Sequence, residues 1–393
     1  MTSFARYKQG SYTLHNKVEV VRGGARYFRI IEEIASKAVY SLHLQTYIFD
    51  EDETGTAVAN ALKAAARRGV LVYVLLDGYA SQKLSSAFID DLKAAGVYFR
   101  FFEPFFRGSS YYFGRRLHHK VVVADGYYGL VGGVNISNRY NDMEDRPAWL
   151  DWAMFVEGDV AQRLDKICVR MWNRGVFASR CLAGSNPSMV SPPEKCLVRV
   201  SRNDWVFRRT EITNSYRMLF TLAHKEITIM TSYFWPPQGI LRRMVIAARS
   251  GKRVRVVLTG HADVPLVKYA ERYLYDRLLR NNVEVYEYQK NVLHGKIAIA
   301  DRQWATVGSY NLNTISAFAS VELNLEVQDA AVAGHLCDAV DEIILADCKR
   351  ITSQSFVASA GPISRVLYYL SFRIIQLLFA LFTFYFSQKK KGS

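Results

Sequence analysis

His118-His119-Lys120-Val121-Val122-Val123-Ala124-Asp125, followed by Gly132-Gly133-Val134-Asn135, has a counterpart later in the chain: His294-Gly295-Lys296-Ile297-Ala298-Ile299-Ala300-Asp301, with Gly308-Ser309-Tyr310-Asn311 after it at the same interval. The chain holds only 8 histidines, so two such alignments are not expected by chance, and we read the stretches as halves of one duplicated site. Residues two apart in a strand share a face, which places His118 with Lys120 and His294 with Lys296. The unbroken apolar runs Val121-Val122-Val123 and Ile297-Ala298-Ile299 predict buried parallel strands, and the Gly-x-x-Asn turns return an amide toward the same place. Two halves together offer two imidazoles, two ammonium groups and two amides. That set suits a phosphate that needs one nucleophile, one proton donor and several cationic or hydrogen-bonding clamps, with no metal and no cofactor.

The rest of the chain extends the repeat. Helices are predicted over 26–38, 58–68 and 88–95, with strands over 39–49, 70–76 and 97–102 and an acidic turn over 50–55, giving β-α-β order. The second half repeats it with helices over 216–224 and 241–249 and strands over 227–235 and 254–258. Ala66-Arg67-Arg68-Gly69 aligns with Ala248-Arg249-Ser250-Gly251, and Tyr47 with Tyr233. Between the halves, residues 178–196 have the Gly, Ser, Asn and Pro content of a linker. The expected organisation is a first half over 1–177, that linker, a second half over 197–350 and a carboxy-terminal apolar and basic segment over 351–393.

With 393 residues, of which 50% are hydrophobic, the chain can bury two substantial cores. A net charge of +15 points to an anionic partner, and nucleic acid and an anionic membrane surface both qualify. The five cysteines are odd in number and lack metal-ligand spacing, so reduced thiols are expected. Residues 1–14 carry no continuous apolar run and do not read as a secretory signal.

At its duplicated His-x-Lys-x4-Asp motifs the chain resembles the phospholipase D superfamily, and within it the bacterial cardiolipin synthases of the shorter kind without amino-terminal membrane spans. The likeness runs from about Asn16 to Cys348, through Leu75-Leu76-Asp77-Gly78-Tyr79, Trp304-Ala305-Thr306-Val307-Gly308-Ser309 and Glu322-Leu323-Asn324-Leu325-Glu326. It implies an α/β fold of two α-β-α sandwich halves with mainly parallel central sheets and the active site at their interface. It also implies ping-pong phosphatidyl transfer. One histidine forms a phosphohistidine with a donor phospholipid and the other protonates the departing alcohol, then deprotonates the acceptor. By resemblance His118 is the nucleophile and His294 the acid and base, although the two halves are nearly symmetric. Lys120, Lys296, Asn135 and Asn311, with Ser309, are expected to hold the phosphate oxygens.

Asp151 and Glu322 follow the two motifs and lead into strand-like runs. A carboxylate on one imidazole nitrogen sets the tautomer, and beside these histidines that role is preferred over two surface acids. Asp125 and Asp301 complete the catalytic motifs, where the resemblance implies a structural ion pair. His119, on the opposite strand face, reads as a packed or rim residue. Gln45 stands where similar synthases often carry glutamate and bears on acceptor contacts or on nothing.

Two segments favour lipid over nucleic acid. Residues 101–116 interleave phenylalanines and tyrosines with arginines, which suits a bilayer headgroup region; packing under a long loop is an equal reading, and base stacking is physically possible as well. Residues 366–386 are apolar and aromatic apart from Arg373 and Gln376 and precede Lys389-Lys390-Lys391. The run is short for a span and Arg373 would sit near its middle, so an in-plane or partly inserted anchor is preferred over a true span, with a packed terminal helix as the plain alternative. The expected substrates are anionic phospholipids: two phosphatidylglycerols yield cardiolipin and glycerol, with phosphatidylethanolamine as an alternative donor, at the cytoplasmic face of the inner membrane. A hydrolytic phospholipase, a nuclease of the same superfamily and a non-catalytic membrane-binding module stand as the other readings.

Overall fold

The computed structural model describes residues 11–104, 106–107, 110–111, 115–174, 181, 189–261, 264–318 and 320–389. Phe105, Tyr112 and Phe113 of the aromatic insertion, most of the expected linker and the first ten residues lie outside that set. Two sheets carry the fold. Across the first, the order is Asn16–Arg22, Trp152–Gly158, Tyr128–Gly132, Val121–Ala124, Ser41–Thr46, Leu71–Asp77 and Tyr98–Phe102. The second repeats it with Leu197–Asp204, Ser320–Gln328, Trp304–Gly308, Lys296–Ala300, Glu226–Thr231, Arg253–Thr259 and Val283–Tyr288, and Cys348–Ile351 extends its far edge.

The expectation of mainly parallel sheets is corrected. Parallel pairing joins Ser41–Thr46 to Leu71–Asp77 to Tyr98–Phe102, and equally Glu226–Thr231 to Arg253–Thr259 to Val283–Tyr288. The motif strands Val121–Ala124 and Lys296–Ala300 run antiparallel to both neighbours. Their connections to Tyr128–Gly132 and Trp304–Gly308 are only tight turns, and a turn that short joins antiparallel strands alone. The unbroken apolar runs therefore reflect cover on both faces, which abolishes alternation whatever the strand direction.

That cover comes from three cores. Helices Ala25–Lys37 and Glu53–Arg67 bury Ile30, Ile31 and Leu62 against the outer face of the first sheet. Helices Glu211–Leu222 and Gln238–Arg249 do the same for the second with Tyr216, Leu219 and Met244. The third core is shared: Val123 and Met154 of one sheet and Ile297 and Leu325 of the other join a single cluster, with helices Asp159–Asn173 and Ala330–Asp347 contributing Leu164 and Val340. The acidic turn expected over 50–55 is instead a helix start. Asp52 caps Glu53–Arg67 by accepting from Gly55 N at 2.9 Å, and a Cβ on Gly55 would lie 1.9 Å from Asp50 O.

The closing aspartates of the motifs sit in the turns, at φ 54° for Asp125 and 51° for Asp301. Asp125 accepts from the amides of Val39, Tyr40 and Ser41 at 2.8–2.9 Å, and Asp301 from those of His224, Lys225 and Glu226 at 2.7–2.9 Å. Each thus ties its turn to the start of the neighbouring strand, at the end of the motif strand remote from the histidine. Backbone amides take the place of the implied ion pair, and both residues stand outside the site. Asp301→Ala, which orphans these amides, is expected to cost about 2–4 kcal/mol of stability while the folded fraction keeps its turnover. Thermal unfolding alongside an activity assay checks this; lost turnover at an unchanged melting temperature would count against it.

Candidate active site

Both histidines arrive at the seam between the halves by the same device. Arg116–Leu117 pairs in parallel with Ser320–Val321 of the other sheet, and His118 N donates to Val321 O at 3.0 Å. In the second half Leu293 bridges to Leu150, and His294 N donates to Leu150 O at 2.7 Å. Each histidine is therefore bonded through its backbone to the residue preceding the other half's acid.

The side chains follow. His118 Nδ1 lies 2.9 Å from Glu322 Oε2, and His294 Nδ1 lies 2.5 Å from Asp151 Oδ2. The carboxylates complete the site crosswise, so that the acid following one motif serves the histidine of the other. An ionised carboxylate only accepts, which puts the hydrogen on Nδ1 of each ring and leaves each Nε2 lone pair free to react. Asp151 and Glu322 are almost wholly buried, and a Cβ at Gly133 would lie 2.2 Å from Asp151 Oδ1, so glycine there makes room for the acid.

Lys120 and Lys296 are buried beside the rings. Lys120 Nζ donates to His118 O at 3.0 Å and lies over the Tyr47 ring. Lys296 Nζ donates to Ser232 Oγ at 3.1 Å and stands 2.9 Å from His294 Nδ1. Burial pushes the Lys120 ammonium down to about 7, against the pull of Glu322. His294 is pushed down to about 3, mainly by burial and then by Lys296, although Asp151 opposes the shift. His118 is lowered for the same first reason, with Glu322 opposing. An anionic phosphate seated over the two ammonium groups removes the repulsion that disfavours an imidazolium, so protonation of a ring is coupled to substrate binding.

The other expected phosphate ligands divide. Ser309 Oγ donates to Glu322 Oε2 at 2.5 Å and accepts from Leu323 N at 3.0 Å, so it positions the carboxylate. Asn135 accepts from Ile48 N and donates to Tyr140 Oη at 2.9 Å, so both ends of its amide are engaged. Asn311 makes no side-chain hydrogen bond among the described residues, and its Oδ1 is buried without a partner. Of the three, it alone has its amide available to a ligand. His119 is packed, with Nδ1 3.4 Å from Gln45 Oε1, while Gln45 Nε2 donates to Cys168 O. Both side chains are buried.

Sequence reasoning missed the residues that frame the rings. Tyr47 meets His118 edge to face at 5.0 Å, and Tyr140 meets His294 at 5.1 Å. The alignment of Tyr47 with Tyr233 was a signal for the first; Tyr140 lies in an irregular turn where no periodicity marks it. Asp77 accepts from Leu117 N at 2.8 Å and from the amides of Tyr79 and Ala80, fixing the approach to His118. Its trace in the sequence was the stretch Leu75-Leu76-Asp77-Gly78-Tyr79, with the Asp before Gly at a strand end. Among the described residues no cluster of His, Cys, Asp and Glu could hold a metal ion.

Two equivalent half-sheets, each delivering a histidine and a lysine to one seam, define a phospholipase D-like enzyme. Residues 30–172 and 216–344 match the family described as cardiolipin synthase, PLD-like domain, and the chain belongs to this cardiolipin synthase family of phosphatidyltransferases. It is 35% identical over 348 residues to cardiolipin synthase B of Salmonella typhimurium, covering 86% of this chain and 82% of that one. It is 34% identical over 343 residues to cardiolipin synthase B of Escherichia coli K12, with the same coverage. The fold is also that of phosphatidylserine synthase from Haemophilus influenzae, at a TM-score of 0.70 and 15% identity over 96% of this chain and 98% of that one.

Proposed function

We propose that the chain makes cardiolipin from two phosphatidylglycerols through a phosphohistidine. His118 Nε2 attacks the phosphorus of the first lipid, the bond from phosphorus to the glycerol headgroup breaks, and His294 gives its proton to the leaving oxygen. The hydroxyl of the second lipid then passes its proton to His294 and attacks phosphorus, the phosphorus–nitrogen bond breaks, and His118 is restored. His118, with 15% of its side chain exposed against 9% for His294, is the more accessible nucleophile. The 2.5 Å contact to Asp151 suits His294 to holding an imidazolium. Lys120, Lys296 and Asn311 hold the non-bridging oxygens. The observation that carries this reading is the pair of imidazoles, each held at Nδ1 by a buried carboxylate of the opposite half. The test is product analysis with phosphatidylglycerol vesicles. Cardiolipin with one glycerol per turnover is expected, and phosphatidic acid as the sole lipid product would replace transfer by hydrolysis.

The bilayer contact we assign to the carboxy-terminal helix, Pro362–Lys389, on the cytoplasmic leaflet. No helix among the described residues is long and apolar enough to cross a membrane. The helix packs Tyr368 and Phe372 inward, Phe372 against Tyr273, and leaves Ile363 79%, Leu377 60% and Leu378 57% exposed. Such a face suits insertion to headgroup depth beside anionic lipid. It also lies near the chemistry: Phe372 meets Trp235, whose amide donates to Leu312 O, next to Asn311. Leu370→Glu with Ile374→Glu, both at exposed positions, is expected to weaken sedimentation with phosphatidylglycerol vesicles by about tenfold or more. Undiminished sedimentation would remove the helix as the anchor.

A further inference from the structure

A cavity of about 290 Å³ opens along the seam where the helix Asp159–Asn173 faces the strand Leu197–Asp204. From the helix come Arg163, Lys166 and Arg170, spaced three and seven residues along one face; from the strand come Arg199 and Arg202. Against these five cations the lining holds a single carboxylate, Glu211.

Two of the cations are already matched. Arg199 is paired with Glu326 at 2.6 Å, and Arg163 donates to Ser11 O. Glu211 is likewise committed, accepting from Arg202 N at 3.0 Å and from Arg209 Nη1 at 3.3 Å. Lys166, Arg170 and the guanidinium of Arg202 make no ion pair or side-chain hydrogen bond among the described residues. Elsewhere the fold neutralises its buried guanidinium groups: Arg115 with Asp204, Arg255 with Asp341 and Arg199 with Glu326. Here Arg202 is half-buried and Lys166 and Arg170 are exposed at the mouth, so an anion entering the recess would meet three cations that no carboxylate engages.

We propose that this cavity is a second phosphate-binding site, separate from the histidine pair, for a phosphate-bearing anion no larger than a phospholipid headgroup. Arg170 and Arg202 form a guanidinium pair that matches phosphate oxygens, and Lys166 adds a point charge at the rim. Burial first and then Arg209 and Arg170 lower the pKa of Arg202, while Glu211 and Asp204 oppose the shift. The recess is too small to take acyl chains with the headgroup, so free phosphate and the head of a lipid are its two sources.

The test uses the full chain carrying His118→Ala and His294→Ala, titrated calorimetrically with pyrophosphate and, separately, with glycerophosphoglycerol, the deacylated headgroup of phosphatidylglycerol. Beside any binding at the catalytic lysines, a saturable site is expected that survives Lys120→Met, weakens about tenfold or more in Arg170→Gln/Arg202→Gln, and weakens a few-fold in Lys166→Gln. Preference for pyrophosphate would identify a free phosphate as the occupant, and preference for glycerophosphoglycerol a lipid head. Binding abolished by Lys120→Met and untouched by the cavity variants would place the anion at the histidines and overturn the proposal, as would no binding of either probe. Lys166 is exposed, so its variant decides the matter even where the arginine pair is needed for folding.

Discussion

Replacing either His118 or His294 by alanine is expected to lower cardiolipin formation by about 10⁴-fold or more, and the double replacement to cost little beyond the worse single one. In the proposed mechanism a full turnover needs both rings, since one Nε2 bonds to phosphorus while the other moves the proton. What separates the two variants is the intermediate. With His118 gone there is no nitrogen to carry the phosphatidyl group, whereas the His294→Ala chain still has its nucleophile and lacks the base that activates the acceptor. Labelled phosphatidylglycerol should therefore leave label on a small fraction of His294→Ala protein and on none of the His118→Ala protein. Label on the His118→Ala chain alone would exchange the two roles, and wild-type turnover in either variant would end the phosphohistidine mechanism.

The crossed carboxylates lead to the second large effect. Glu322 is bonded to His118 and Asp151 to His294, so Asp151→Asn should mimic loss of the acid and base, and Glu322→Gln loss of the nucleophile. An amide offers Nδ1 a neutral partner and favours the wrong tautomer, which in comparable hydrogen-bonded pairs costs about 10³–10⁴-fold. In single-turnover trapping, Asp151→Asn is expected to form the covalent adduct and resolve it slowly, while Glu322→Gln forms it slowly. The opposite pattern would mean that each acid serves the histidine of its own half. Because Ser309 Oγ also donates to Glu322, Ser309→Ala should act in the same direction as Glu322→Gln and more weakly.

The repeat shows how far local pattern reaches. Helix and strand positions follow from periodicity over most of the chain: the helix predicted over 26–38 is Ala25–Lys37, and the strand predicted over 254–258 lies within Arg253–Thr259. Strand direction does not follow, because Val121-Val122-Val123 is equally apolar whether its neighbours run with it or against it. The partners of Asp125 and Asp301 were not legible for a related reason. An aspartate at the end of a strand looks the same whether it meets a cation or three backbone amides, and only the position of the neighbouring strand's first residues decides.

For the site itself, the sequence alone singled out the side chains proposed to do the chemistry. His118, Lys120, His294 and Lys296 are legible because a duplicated spacing of rare residue types survives any uncertainty about the fold between them. The carboxylates Asp151 and Glu322 were legible as candidates too, since imidazole chemistry at phosphorus calls for an orienting acid. Their partners were decided by tertiary structure alone. Hydrogen bonds of 2.9 Å and 2.5 Å join residues 204 and 143 positions apart, and they form where His118 N and His294 N each bond to the residue preceding the opposite half's acid. The same holds for Asn135 and Ser309, whose short side chains bond to whatever the packed seam brings within 3 Å, a distance that spacing along the chain does not encode.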